Sequence, residues 1–175
     1  VTTDRPLDPD RIADLLEASV ATILAELEAF GPEARWRPAP GEWCANECVG
    51  HILEAERRGF IGRIRTILAG DRPALPGWDQ VAVEAARRDH EREPAEIPAE
   101  LLPIRAESIE LVRALRPEDL ARIGVHDRVG ELSVGDLLGE WVHHDRSHVR
   151  QILSVVQARV WPQMGNARRF VDPNA

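Results

Sequence analysis

Ser133-Val134-Gly135-Asp136-Leu137-Leu138-Gly139-Glu140-Trp141-Val142-His143-His144-Asp145-Arg146-Ser147-His148-Val149-Arg150-Gln151-Ile152-Leu153-Ser154-Val155 is the stretch on which the fold turns. Ser133 can cap the free amides of a first helical turn, and Asp136 stands three residues later, a serine-to-acid relative of the Glu/Gln capping box. From there Leu137, Trp141, His144, His148, Ile152 and Val155 follow one another at steps of three or four. One helix face therefore carries apolar side chains and two imidazoles together.

Working toward the N-terminus, the same period predicts three more long helices. Ile12, Leu15, Leu16, Ile23, Leu24 and Leu27 mark an amphipathic helix over 11–30, with Pro9 in its first turn and Gly31-Pro32 as its stop. A second helix is expected from Cys44 to Ala69, with Ile52, Ala55, Gly59, Ile64 and Ile67 facing inward. Small residues at 55, 59 and 62 would allow a close neighbour there, although glycines lower helix propensity. A third fits Ala99–Leu115, with Pro103 suggesting that regular structure begins only around that residue and Arg116-Pro117 ending it. Four substantial helices imply an all-α four-helix bundle, to which the segment 81–98 can add a short helix. The connector 33–42, rich in Pro and flanked by Trp36 and Trp43, reads as an ordered seal on one end of the core.

The 175 residues and 43% hydrophobic content suit a single helical domain over 1–175. Thirty acidic against 22 basic residues give a net charge of -8, which disfavours nucleic acid and anionic membrane as partners. No segment approaches the roughly 18 apolar residues of a membrane span. Residues 1–6 lack the basic and apolar regions of a secretion signal, so a cytoplasmic location is the expectation. Two cysteines, Cys44 and Cys48, do not make a disulfide framework.

His144 and His148 lie one turn apart, a spacing at which two neutral imidazoles can approach one divalent ion. His51, on the second helix near Ile52 and Ala55, is the favoured third donor. Three imidazoles would leave a coordination position for water or substrate, as in catalytic centres. Read from the residues alone, other accounts stay open: buried imidazoles satisfying one another or the backbone, and a mixed zinc site of Cys44, Cys48 and His51. His143 projects about 100° away from His144 and reads as a neighbouring or surface residue. Asp145 and Gln151 are candidates to orient the ligands, with ordinary surface roles equally open. His126 is placed in a polar turn, at a pocket rim or facing solvent, and His90 in a solvated charged run. Cys44 stands at the N-cap position of the second helix with Glu47 three residues on, where Glu47 serves as helix-starting acid or as a proton acceptor.

Trp36-Arg37-Pro38-Ala39-Pro40-Gly41-Glu42-Trp43 before a helix bearing Glu47 and His51, Gly130 through Leu138 before the last helix, and His144-Asp145-Arg146-Ser147-His148-Val149-Arg150-Gln151-Ile152 within it resemble, in order and separation, the DinB-like superfamily of four-helix-bundle metalloproteins. The resemblance implies a metal ion, zinc or nickel, held by His51, His144 and His148. It also implies a small-molecule substrate and a homodimer. Members include thiol-dependent transferases, which makes a metal-dependent transferase using a low-molecular-weight thiol cosubstrate the leading expectation. A metal-dependent hydrolase, a noncatalytic metal-stabilised binding or stress-response domain, and a regulatory bundle with an incidental histidine face are the alternatives. Cys44 departs from the family pattern, where serine or threonine makes the easier cap, and His143 is an extra imidazole beside the pair.

Overall fold

The computed structural model describes residues 8–172, so the reading of residues 1–6 as lacking a leader lies outside it. Helix α1 spans Pro9–Phe30, capped by Asp8, whose carboxylate accepts from the Arg11 amide at 2.8 Å. Helix α2 (Ala45–Glu54) passes without a break through a π-helical turn, Ala55–Phe60, into α3 (Ile61–Ala69). Two short elements follow, strand β1 (Ala74–Leu75) and helix α4 (Gln80–Arg87). Helix α5 (Glu96–Arg113), strands β2 (Ile123–His126) and β3 (Gly130–Ser133), and helix α6 (Val134–Val160) complete the order, before 3-10 turns over Trp161–Phe170.

The four long rods are α1, the composite α2–α3, α5 and α6. Helix α1 packs on α5 and α6, and α2 packs on both as well, giving the expected four-helix bundle. Its core runs in two stretches. One gathers Leu16, Ile64, Ile67, Leu137 and Trp141, and the other Ile23, Ile52, Leu53, Leu101 and Ile152. Helix α5 begins at Glu96, earlier than the proline suggested, and carries Pro103 in its interior. Burial of Ile97 and Leu101 on one side of Pro103 and Ile109 and Val112 on the other offsets the hydrogen bond the proline cannot donate.

The composite second rod departs from a plain helix at the π turn. Phe60 adopts φ -105° and ψ -80°, and the chain is locally widened. A Cβ added at Gly62 would meet the Arg57 carbonyl oxygen at 2.4 Å. Gly62 therefore serves its own widened helix, whereas Gly59 has no atom within 4 Å of such a Cβ and faces open space. Both findings correct the expectation that these glycines bring another helix close.

The π turn swings Glu56 into the core, where it is 0% exposed. Arg105 of α5, 1% exposed, donates from Nε to Glu56 Oε2 at 3.0 Å and from Nη1 to Asp145 Oδ2 at 2.6 Å. A further bond runs from Nη1 to the Leu16 carbonyl at 3.2 Å. One guanidinium thus ties all four rods together at the level of His144. Asp145 lies in this braced core rather than at the surface, and it does not contact the imidazoles as a hydrogen-bonding partner.

The strands were not foreseen. Strand β2 pairs parallel with β1 and antiparallel with β3, with Ala74 opposite Val125 and Ile123 opposite Ser133. A Cβ at Gly124 would lie 2.7 Å from Leu75 Cδ1 and 3.0 Å from Ile67 Cγ1, so glycine lets the sheet close onto α3. Strand β3 ends at Ser133, which caps α6: its hydroxyl accepts from the Asp136 amide at 3.0 Å, and Asp136 accepts from the Ser133 amide at 2.9 Å. The hairpin is therefore the guide that sets where α6 starts. Among the described residues no helix is long and apolar enough to cross a membrane.

Candidate metal centre

His51 on α2 and the pair His144 and His148 on α6 face one another across the helix interface. One ring nitrogen from each lies within 4.8 Å of the other two, and among the described residues they are the one group of three or more His, Cys, Asp or Glu donors so clustered. His51 Nε2 and His144 Nε2 are 3.0 Å apart. Two nitrogens bound at about 2.0–2.1 Å to one tetrahedral ion would stand about 3.3 Å apart, so this spacing needs only a small side-chain shift to hold one. The donor set thus fits a divalent cation on geometry and on chemistry.

The outer edges of two rings are fixed by polar partners. Glu84 Oε1 of α4 lies 3.2 Å from His51 Nδ1, and the Gln80 amide, which donates to Glu84 at 3.0 Å, lies 3.2 Å from the same nitrogen. A proton on Nδ1 has the Glu84 carboxylate within reach as acceptor, and in that tautomer the His51 Nε2 lone pair faces the centre. Gln151 Oε1, 2.9 Å from His148 Nδ1, stands in the same relation to His148. The expected role of Gln151 as an orienting residue is thus present in the geometry. Nδ1 of His144 is buried and has no protein partner among the described residues.

Aromatic rings close the surroundings. Trp43 lies 5.0 Å from His51 and 6.0 Å from His148 between ring centroids, Trp78 stacks at 6.4 Å on His51, and Phe60 meets His144 edge-on at 5.3 Å. Trp43 and Trp78 therefore wall the imidazoles, and Trp43 does more than seal a bundle end. Burial first, then mutual repulsion among the imidazoles, pushes His51 down to about 4 and His144 to about 3. Burial also lowers His148, partly countered by Gln151 and Asp145. All three rings are consequently neutral near pH 7, the protonation state a ligand nitrogen requires.

A cavity of about 630 Å³ opens onto the three imidazoles, with Arg63, Trp78, His126 and Glu140 among its lining. Glu140 stands one turn before His144 on α6 and makes no ion pair within 4.0 Å among the described residues. Gly77 and Trp78, between β1 and α4, line this cavity, and no residue of Trp161–Phe170 does. His126 ends β2 and lines the cavity, apart from the cluster.

Other candidate residues have different positions. Cys44 and Cys48 are both free and fully buried, and neither joins the cluster. Burial pushes the Cys44 thiol up to about 12 and raises Cys48 as well. Glu47 accepts from the Cys44 amide at 2.9 Å and pairs with Arg37, whose Nε lies at 2.9 Å. Burial alone would raise its pKa, but Arg37 and the cap hold it below the usual range. Its role is to start α2. His143 is exposed, and His90 is partly covered, with Nδ1 3.5 Å from Glu47.

The residues the sequence reading missed are Gln80, Glu84, Arg63 and Glu140. The i,i+4 spacing of Gln80 and Glu84 after the capping residue Asp79 is the one local signal that could have placed the first two on one helix face.

Comparison with known proteins agrees with this architecture. A protein of Oceanobacillus iheyensis whose name proposes a metal-dependent hydrolase is 24% identical over 122 residues, 69% of each chain. YfiT from Bacillus subtilis, described as a probable metal-dependent hydrolase with an unusual four-helix bundle topology, superposes with a TM-score of 0.77 at 19% identity, covering 90% of this chain and 89% of its own. That likeness establishes the fold. The sequence model of the DinB superfamily matches residues 31–152, well over half of the length, and the chain belongs to that superfamily.

Proposed function

We propose that this chain is a divalent-metal-dependent enzyme acting on a small molecule, with His51, His144 and His148 as the ligands of a zinc or nickel ion. The observation that carries the reading is the convergence of three neutral imidazoles, two of them anchored at their outer edges, on one cavity. When bound, such an ion supplies Lewis-acid activation of a nucleophile or of a polarised carbonyl or phosphoryl oxygen.

The chain's own residues divide the remaining work. Glu84 and Gln151 hold two of the rings with their inner nitrogens toward the centre. Trp43, Trp78 and Phe60 keep bulk water from the flanks, which strengthens electrostatic interactions inside. Glu140, a carboxylate in the same cavity without an ion-pair partner, accepts the proton that the attacking nucleophile gives up. A carboxylate base suits water as nucleophile, and the hydrolase names of the two similar proteins agree with it. We therefore favour hydrolysis over the thiol transfer that led the sequence reading.

Thiol transfer is the second reading. It is supported by the burial of both cysteines, which leaves any sulfur nucleophile to be supplied by a low-molecular-weight thiol. Assay of the metal-loaded protein on a panel of small esters, amides and electrophiles, with and without added thiol, separates the two. Metal-dependent turnover without thiol, reduced at least about a hundredfold in Glu140→Gln with metal content unchanged, is the expected result. Turnover that needs thiol and keeps its sulfur in the product establishes transfer instead. Turnover that survives metal removal overturns both.

A further inference from the structure

Arg63 is a partly buried cation on the cavity wall. Acidic residues outnumber basic ones, 30 to 22, and Arg57, Arg58, Arg87, Arg92 and Arg105 each meet a carboxylate. The Arg63 guanidinium has none within 4.0 Å among the described residues. Its Nη2 instead donates to His126 Nε2 at 2.9 Å, and its Nε is buried with no partner. Asp127 Oδ1 lies 3.1 Å from His126 Nδ1, so a proton on that nitrogen has an acceptor in the tautomer whose Nε2 accepts from Arg63. The Arg128 amide nitrogen, also 3.1 Å from Nδ1, competes for the same atom.

The cavity that opens onto the three imidazoles is the one Arg63 lines. Burial weakens the proton affinity of Arg63, with Glu140 and Asp127 acting against that from further off, so a charged group stands partly stripped of water and incompletely neutralised. Such a group gains most from an anion that enters the cavity, because a planar guanidinium offers paired donors matched to a carboxylate. Two guanidiniums, Arg63 and the exposed Arg128, face one carboxylate, Glu140, in a chain whose net charge is -8. Glu140 opposes a dianion such as a phosphate monoester, which leaves a single carboxylate as the better match.

We propose that Arg63, held in place by His126, recognises a carboxylate on the substrate and so directs the substrate's reactive end toward the three imidazoles. This rests on the reading of the cavity as the substrate site of a metal-dependent enzyme. The reacting molecule is then a small carboxylic acid derivative rather than a neutral ester or amide.

Calorimetric titration of the metal-loaded protein with butyrate and with butyramide, which match in size and differ in charge, tests this directly. Butyrate is expected to bind at least tenfold more tightly. Arg63→Gln should erase that preference while leaving metal content unchanged, and Arg63→Lys, which keeps the charge but not the planar fork, should reduce it several-fold. If Arg63→Gln fails to fold by circular dichroism, the lysine variant decides. Equal binding of the two probes by the parent, or an unchanged preference in the variant that decides, overturns the proposal. A preference that persists in Arg63→Gln but vanishes in His144→Ala puts the carboxylate on the ion: the arginine's role is then wrong while the metal reading stands. An Arg63-dependent preference in protein that takes up no metal sinks the metal reading and leaves only the carboxylate recognition by Arg63 standing.

Discussion

Arg105 Nη1 and Asp145 Oδ2 lie 2.6 Å apart at the centre of the bundle, and Asp145 immediately follows His144 in the chain. Helix α6 thus presents its imidazole to one side and anchors itself by its neighbour on the other. The same guanidinium reaches Glu56 in the π turn that follows His51 by one turn of helix. Both histidine-bearing rods are consequently fastened to a single side chain of α5.

Removing that side chain leaves two carboxylates in a dry interior. Burial opposes the charge on Arg105, but Asp145 and Glu56 together hold it protonated, so the three form one unit. Arg105→Met should destabilise the protein by about 3–5 kcal/mol. The triple change Arg105→Met, Glu56→Gln, Asp145→Asn should recover much of that loss. Urea unfolding at pH 7 provides the comparison, and a fully additive triple variant would show that the three residues do not act as a unit.

The anchors of the imidazoles make a separate prediction. Glu84→Ala and Gln151→Ala should each weaken zinc binding by about ten- to a hundredfold, because each frees a ring whose inner nitrogen it now aims. Competition with a chelator of known affinity measures this. The fold should be unaffected, since Glu84 is on a short helix at the rim of the bundle. Identical zinc affinity in parent and Glu84→Ala would remove α4 from the account.

Acid should destabilise the metal-free protein. His51 at about 4 and His144 at about 3 lie below the ordinary 6.5, so between pH 6.5 and 4 the unfolded chain takes up protons that the folded state refuses. Unfolding free energy therefore falls with falling pH across that window, by on the order of 3 kcal/mol for each imidazole. Glu56 has the opposite sign: burial pushes it up to about 6, so its folded form holds a proton that the unfolded chain has lost between pH 6 and 4.5, and acid stabilises it. Unfolding measured at pH 7, 5.5 and 4.5 should show a net decline, steeper in Glu56→Gln. A flat profile in that variant would mean that the imidazoles are not held neutral.

The cysteines should be inert in the folded state. With Cys44 pushed up to about 12 and Cys48 raised by the same burial, iodoacetamide should label neither at pH 8 until denaturant is added. Cys48→Ala should keep its metal. Loss of metal in that variant would revive the mixed cysteine and histidine site.

The long helices were legible because each buries a stripe at helical period, and the start of α6 was legible because Ser133 and Asp136 are a reciprocal cap. The three imidazoles could be expected to meet because His144 and His148 share that stripe and His51 sits on the buried side of α2. The strands were not legible: two to four residues are too few to show alternation, and their pairing depends on Gly124 fitting against Leu75. The π turn was equally hidden, since it is fixed by Glu56 reaching Arg105 across 49 residues of sequence. Arg63, Glu84 and Glu140 carried no local mark that set them apart from the other charges of a solvated helix. Their significance comes from the cavity wall, a property of the folded chain alone.

The most direct test is elemental analysis of the untagged protein, reconstituted with zinc or nickel and dialysed, beside His51→Ala and His144→Ala. The account predicts close to one divalent ion per chain in the parent and a strong loss in each variant, with the helical circular dichroism of both retained. A parent that retains no ion, or variants that bind as much as the parent, would contradict it.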